Sequence, residues 1–202
     1  MTAGEICWRI RKKTRQYNDY LFHRYENRVF SSCDQASTVL LNAIAKTSFY
    51  GVTLNPPSQL RPEWLSQSVS AAQKLLKHKT DLFALGEVDL GADINFNYEY
   101  KRGIHIPLEF GPWMDYRDTE TYGDFKYFWE VPRLQHLIGL SKAWYLTKEV
   151  SYAEEVSRQL FHFSEQSPYL RGVNWIMPME AGIRLISLSW IAVFLADYLR
   201  TH

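Results

Sequence analysis

WEVPRLQHLIGLSKAWYLTKEVSYAEEVSRQLFHF, residues 129–163, decides the fold class. From Trp129 onward Leu134, Leu137, Ile138, Ala143, Trp144 and Tyr145 recur at helical spacing and make one apolar face. LTKEVS, residues 146–151, reads as a short turn, and Ser151 with Glu154 three residues on gives a capping-box pattern. Ala153, Val156, Leu160 and Phe163 then face inward along a second helix. Two helices on a short turn make an antiparallel hairpin. The chain is therefore expected to be mainly α, built of stacked helical hairpins that form a solenoid or a toroid. No 34-residue self-similarity runs through it, although AWYLTKEVSYAEEV, residues 143–156, would pass for one tetratricopeptide hairpin.

Outward from this segment, Gln166 to Ile176 reads as a loop, and Pro178 opens a last helix that runs almost to residue 202. Upstream, residues 81–128 change period. Ile94, Phe96, Tyr98 and Tyr100 alternate with Asn95, Asn97, Glu99 and Lys101, a strand signal. Lys101-Arg102-Gly103 can turn that strand into a second extended run, Ile104 to Leu108, making a small hairpin in an irregular segment. Residues 51–62 are a turn-rich connector. A helix is expected from Pro62 to about His78, with Trp64, Leu65, Val69, Ala72, Leu75 and Leu76 as its apolar stripe. Residues 3–28 look helical, with Ile6, Ile10, Tyr17, Leu21 and Tyr25 among Arg9, Arg11, Lys12, Lys13 and Arg15. That basic face is most simply solvated, and contact with an anionic membrane or polyanion is the alternative. The expected organisation is one domain over 1–202: helices in 1–80, the irregular segment in 81–128 and helical hairpins in 129–202.

Composition bounds the function. Of 202 residues, 46% are hydrophobic and the net charge is only +1, which excludes a disordered chain. The same near-neutral charge speaks against a nucleic-acid partner. Two cysteines, Cys7 and Cys33, make no disulfide framework. No stretch is expected to span a bilayer, since Ile183 to Leu199, the most apolar run, contains Arg184 and Asp197. The basic N-terminus has no apolar h-region behind it, so no cleavable secretory signal is expected. Aromatics make up 15% of the chain, a density that suits a large core and also surfaces that stack on sugar rings.

Three constellations carry candidate chemistry. In WEVPRLQH, Glu130 and Arg133 lie three apart on a helix expected to begin at Trp129, with His136 beyond them. They can line a polar groove or form an intrahelical salt bridge beside a core tryptophan. His136 has no second His or Cys at a ligand spacing, so no metal is expected. In RGVNWIMPMEAGIR, residues 171–184, Asn174 and Trp175 sit just before a helix N-terminus, where an amide can donate to a bound carboxylate. Glu180 and Arg184, four apart, can pair on that helix, and plain capping is the competing reading. The third is polar and aromatic, NFNYEYKRG with MDYRDTETYGDFKYFWE. It is either a sugar-binding surface or a solvated loop. No GxSxG, P-loop or GxGxxG motif is present.

GDFKYFWEVPRLQHLIGLSKAWYLTKEVSYAEEV and GVNWIMPMEAGIRLISLSW resemble the N-terminal helical domain of heparinase II/III-like polysaccharide lyases. The patterns carried are K-Y-x-W-E-x-x-R-x-Q-H and G-x-N-W-x-x-x-M-E-x-x-x-R. LFALGEVDLG, INFNYEYKRG, HIPLEF and MDYRD resemble the family's irregular lead-in, with Phe96 standing where tryptophan is expected. The resemblance implies an incomplete (α/α) toroid, normally followed by a β-sandwich, and β-elimination on uronate-containing anionic polysaccharide. That chemistry needs a group to neutralise the uronate carboxylate, a base for the C5 proton and an acid for the departing O4 oxygen. The resemblance implies Asn174 as the neutraliser, with Trp129, Glu130, Arg133, His136, Trp175, Glu180 and Arg184 shaping one trough sized for a glycan. No cofactor is expected. The family's catalytic Tyr and His have no match in this sequence, so the chain alone is expected to be catalytically incomplete. Ile186, Trp190, Val193, Phe194 and Leu199 are expected to need covering, for example by a separately encoded remaining half. A tetratricopeptide-like protein- or peptide-binding module is the alternative.

Overall fold

The computed structural model describes residues 2–26, 54 and 57–201. The chain divides into two units, residues 1–42 and 43–202. In the first, α1 spans Ala3–Glu26, and residues 27–28 of the expected helix lie outside the described residues. Its first turn is tied by an Arg9–Glu5 ion pair of 2.9 Å. Tyr25 and much of the 51–62 connector lie where side chains or backbone fall outside the described residues.

In the second unit α2 spans Pro62–Leu76 with proline at its first position, as expected. Two short antiparallel pairs follow. The first is β1 (Lys79–Asp81) with β2 (Glu87–Asp89), in the register Lys79 to Asp89. The second is β3 (Tyr98–Glu99) with β4 (Ile104–His105), in the register Tyr98 to His105. The short helices α3 (Thr119–Tyr122) and α4 (Phe125–Trp129) lead into α5 (Gln135–Thr147), α6 (Val150–Gln166) and α7 (Pro178–Thr201). Seven α-helices among the described residues make the chain mainly α. Helix α5 is central and packs against α2, α6 and α7.

One apolar core joins these elements. Leu134, Leu137, Leu140 and Ala143 from α5 and its approach meet Ala153 and Val156 of α6, Leu195 of α7 and Ala72 of α2. A second cluster, Ile106, Met114, Phe125, Phe128, Trp129 and Val173, lies under the 173–175 loop. Ile94 and Phe96, two of the alternating apolar residues of the expected strand, are buried in the main core.

Several local expectations are corrected. The 94–100 strand is only Tyr98–Glu99, because neighbouring backbone N–H groups are taken by side chains. Phe96 N donates to Gln166 Oε1 at 2.8 Å, and Asn97 N donates to Asn95 Oδ1 at 2.8 Å. The hairpin over 79–89 was not foreseen. Ser151 is not an N-cap: α6 starts at Val150 after Glu149, and Ser151 Oγ donates to Glu149 Oε1 at 2.9 Å. Trp64 is 53% exposed, with the Arg61 guanidinium 3.8 Å from its ring centre, so it is not part of the buried stripe of α2.

Helix α7 also departs from expectation. Pro178–Arg200 is long and apolar enough to cross a membrane by length and composition, with 33% of its most apolar window buried inside the protein. Ile191, Ala192 and Leu195 face the core, and Leu199 packs against it. Ile186 is 61% and Trp190 40% exposed, and these are the two members of the expected stripe that stay largely uncovered.

Candidate functional site

The first motif folds around a break. Trp129 ends α4 rather than starting a helix, and residues 130–134 form turns before α5. Pro132 supplies no N–H to a helix there, and Leu134 takes φ 61, a left-handed conformation that a leucine adopts only when packing enforces it. Leu134 is fully buried, and its N–H donates to Val131 O at 3.0 Å. The break aims Arg133 across the molecule to the first turn of α7.

There Arg133 makes a two-pronged ion pair. Nε donates to Glu180 Oε2 at 2.7 Å and Nη2 to Glu180 Oε1 at 2.8 Å, while Nη1 donates to Glu130 Oε2 at 2.8 Å. Glu180 is fully buried, and this guanidinium is the partner that satisfies its two carboxylate oxygens. The Glu180 hydrogen bonds raise the Arg133 pKa above its ordinary value, against the opposing effect of burial. The expected Glu180–Arg184 pair is therefore not the one that forms. Glu180 sits in the first turn of α7, where the helix dipole also favours a carboxylate.

Arg184 turns the other way. It is 4% exposed, and Nη2 donates to the backbone carbonyl of Asn174. Its guanidinium lies 5.1 Å from the Trp175 ring centre and 5.6 Å from that of Phe163. Burial lowers its pKa from the ordinary arginine value, with Glu180 countering. The Trp175 indole donates to Ser167 O at 3.1 Å, and the Trp129 indole donates to Val173 O at 3.3 Å. Both tryptophans thus pin the 167–176 loop.

Asn174 is fully buried. Its Nδ2 donates to Ser167 Oγ at 2.8 Å and to Phe96 O at 3.4 Å. Asn174 Oδ1, Arg184 Nη1 and Asn97 Oδ1 are buried polar atoms without a hydrogen bond. The loop is further locked by close backbone passage. Gly111 N donates to Leu170 O at 2.8 Å, Gly172 N donates to Glu109 O at 2.8 Å, and Phe110 and Arg171 form a bridge. Gly172 has φ 66, which suits glycine, and a Cβ on Gly111 would lie 2.4 Å from Gly172 O.

His136 belongs to a different network. Its Nε2 lies 2.7 Å from Gln159 Oε1, and Gln159 Nε2 donates to Glu155 Oε1 at 2.6 Å. With the glutamine amide so oriented, its Oε1 accepts, and His136 carries its proton on Nε2. Glu155 also accepts from Arg158 Nε and Nη2, at 2.8 and 2.7 Å. Burial lowers the His136 pKa, the Gln159 hydrogen bond opposing. Thr80, Asp81, Glu130, Gln135 and His136 line an open cavity of about 260 Å³.

The expected residues therefore come together in part. Trp129, Arg133, Asn174, Trp175, Glu180 and Arg184 converge, but as a buried latch between the α4–α5 break, the 167–176 loop and α7. The expected glycan-sized trough over Asn174 is absent among the described residues, because Ser167 and the 94–97 segment cover that amide. Glu130 links the latch to the open cavity, and His136 stands in that cavity's wall. Ser167 and Gln159 were not anticipated; a lone serine or glutamine carries no spacing signal. In the third constellation Asp118 accepts from Thr121 N at 3.0 Å and Asp124 from Lys126 N at 3.1 Å. Both cap short helices, which is the solvated-loop role. Among the described residues no group of three or more His, Cys, Asp or Glu side chains is placed to hold a metal ion.

Compared with protein-family models, curated proteins and solved structures, the chain matches none.

Proposed function

We propose that this chain is the N-terminal toroid part of a heparinase II/III-like polysaccharide lyase and that it binds uronate-containing anionic polysaccharide for β-elimination. The observation that carries the reading is the convergence of two motifs. Residues 126–136 and 172–184 resemble the two halves of the family pattern, and Arg133 of one grips Glu180 of the other through two hydrogen bonds.

In this reading Asn174 meets the uronate carboxylate, and the cover formed by Ser167 and Phe96 parts to admit it. Support comes from the unpartnered donor Arg184 Nη1, while Asn174 Nδ2 is the amide group that donates to the carboxylate once released from Ser167 and Phe96. A buried polar atom without a partner costs about 1–3 kcal/mol, and such costs concentrate where function overrides packing. The remaining toroid helices, on this or a separate chain, stack on the exposed face of α7, where Met179, Leu185 and Ile186 are 58%, 66% and 61% exposed. Those helices supply the base and the acid, so this part alone binds and does not turn over.

The test is retardation in gels containing alginate, heparan sulfate or a neutral glucan, with an assay for unsaturated uronate products. Retardation by a uronate polymer alone, without product, supports the reading. Equal mobility in all gels contradicts it, and robust product formation contradicts the claim of incompleteness.

A further inference from the structure

The basic helix α1 carries an apolar stripe that faces solvent. Ile6, Ile10, Tyr17 and Leu21 fall within an arc of about 60° when residues advance 100° each. All four are exposed, at 41%, 60%, 54% and 45%. Helix formation alone does not require such a stripe.

Charge surrounds it. Arg9, Arg11, Lys12, Lys13 and Arg15 lie between Glu5 and Asp19 with no carboxylate among them. By the same helical geometry Lys13 and Arg9 flank one edge of the stripe, and Arg11 lies beyond the other. Trp8, 60% exposed, and Lys12, whose Nζ is 5.2 Å from its ring centre, lie on the opposite face and take no part in the stripe. Cations that border an apolar stripe can extend toward anionic headgroups while the stripe enters the acyl boundary.

We propose that α1 lies on the surface of an anionic lipid bilayer, its axis in the plane of the interface, with Ile6, Ile10, Tyr17 and Leu21 inserted and the flanking cations at the phosphates. Two other occupants fit less well. A polyanion such as nucleic acid or heparin needs the cations but leaves the apolar stripe in water. A second copy of α1 would bury the stripe but bring two rows of cations together, since Lys13 borders the seam. The lipid surface satisfies both halves of the helix. This inference is independent of the polysaccharide reading, which concerns residues 43–202.

The test is sedimentation of the full chain with vesicles of phosphatidylcholine alone or with 30% phosphatidylglycerol, at about 0.1 M salt, where charges still act over roughly 10 Å. Partition into the anionic vesicles is expected to exceed that into neutral ones at least tenfold. Ile10→Ser with Leu21→Ser is expected to lower it tenfold or more, as is Arg11→Glu with Lys13→Glu. Ile10→Leu keeps the apolar character and helix propensity and is expected to bind as the wild type does, which separates loss of insertion from loss of helix. The proposal is overturned by absence of binding to the anionic vesicles, by equal binding to neutral ones, or by binding that survives the Ile10→Ser/Leu21→Ser change. That last outcome would mark α1 as a general polyanion binder.

Discussion

Arg133 and Glu180, 47 residues apart, are joined by two hydrogen bonds of 2.7 and 2.8 Å that tie the α4–α5 break to the first turn of α7. Because Glu180 is fully buried, neither partner is dispensable alone. Arg133→Ala should cost about 3–5 kcal/mol, since it leaves a buried carboxylate unpaired. Arg133→Lys keeps the charge but loses the planar fork and should fall between. The double change Arg133→Met/Glu180→Leu should cost less than Arg133→Ala. Urea denaturation followed by circular dichroism checks all three, and a double variant less stable than Arg133→Ala would refute the latch.

Burial holds His136 below its ordinary pKa of 6.5, with Glu155 favouring its charge and His78 opposing it. The folded chain therefore takes up this proton at a lower pH than the unfolded chain. The stabilising contribution is complete above about pH 6.5 and is lost as pH falls toward the folded pKa. His136→Gln keeps a donor for Gln159 and removes the titration. Its stability should fall less than that of the wild type between pH 7 and pH 5. Parallel pH profiles of the two proteins would show that another group governs the acid limb.

At Gly111 the backbone of the 167–176 loop passes too close for a side chain, since an added Cβ would stand 2.4 Å from Gly172 O. Gly111→Ala should destabilise by about 1–3 kcal/mol, as overpacking does. Gly182, around which a Cβ meets nothing within 4 Å, is the control. Gly182→Ala should be neutral or stabilising in mid-helix by up to about 1 kcal/mol. Thermal melts of the two variants should move in opposite directions.

Helices were legible where periodicity and punctuation agreed. Pro62 and Pro178 marked helix starts, and Ala153 with Val156 marked a buried face. The sequence misled where one residue was asked to decide a boundary. The sequence pattern puts Trp129 at a helix start, yet Pro132 and the left-handed Leu134 place it at an end. Ser151 matched a capping box that formed nowhere, because α6 begins one residue earlier.

The same contrast runs through the site. Residue types and spacing on one helix suggested Glu180–Arg184, and tertiary geometry chose Glu180–Arg133. Nothing in a linear pattern reports that Ser167 and Phe96 cover Asn174. That cover joins Asn174 to Phe96, a relation between residues far apart in the chain.

The central claim concerns Asn174 and a uronate carboxylate, and calorimetric titration with alginate oligosaccharides tests it most directly. The wild-type chain should bind them, should ignore a neutral glucan of the same length, and should lose at least tenfold in affinity on Asn174→Ala with its circular dichroism unchanged. No binding by the wild type, or equal binding by an intact Asn174→Ala variant, would contradict the assignment and leave Asn174 as a purely structural anchor of the 167–176 loop.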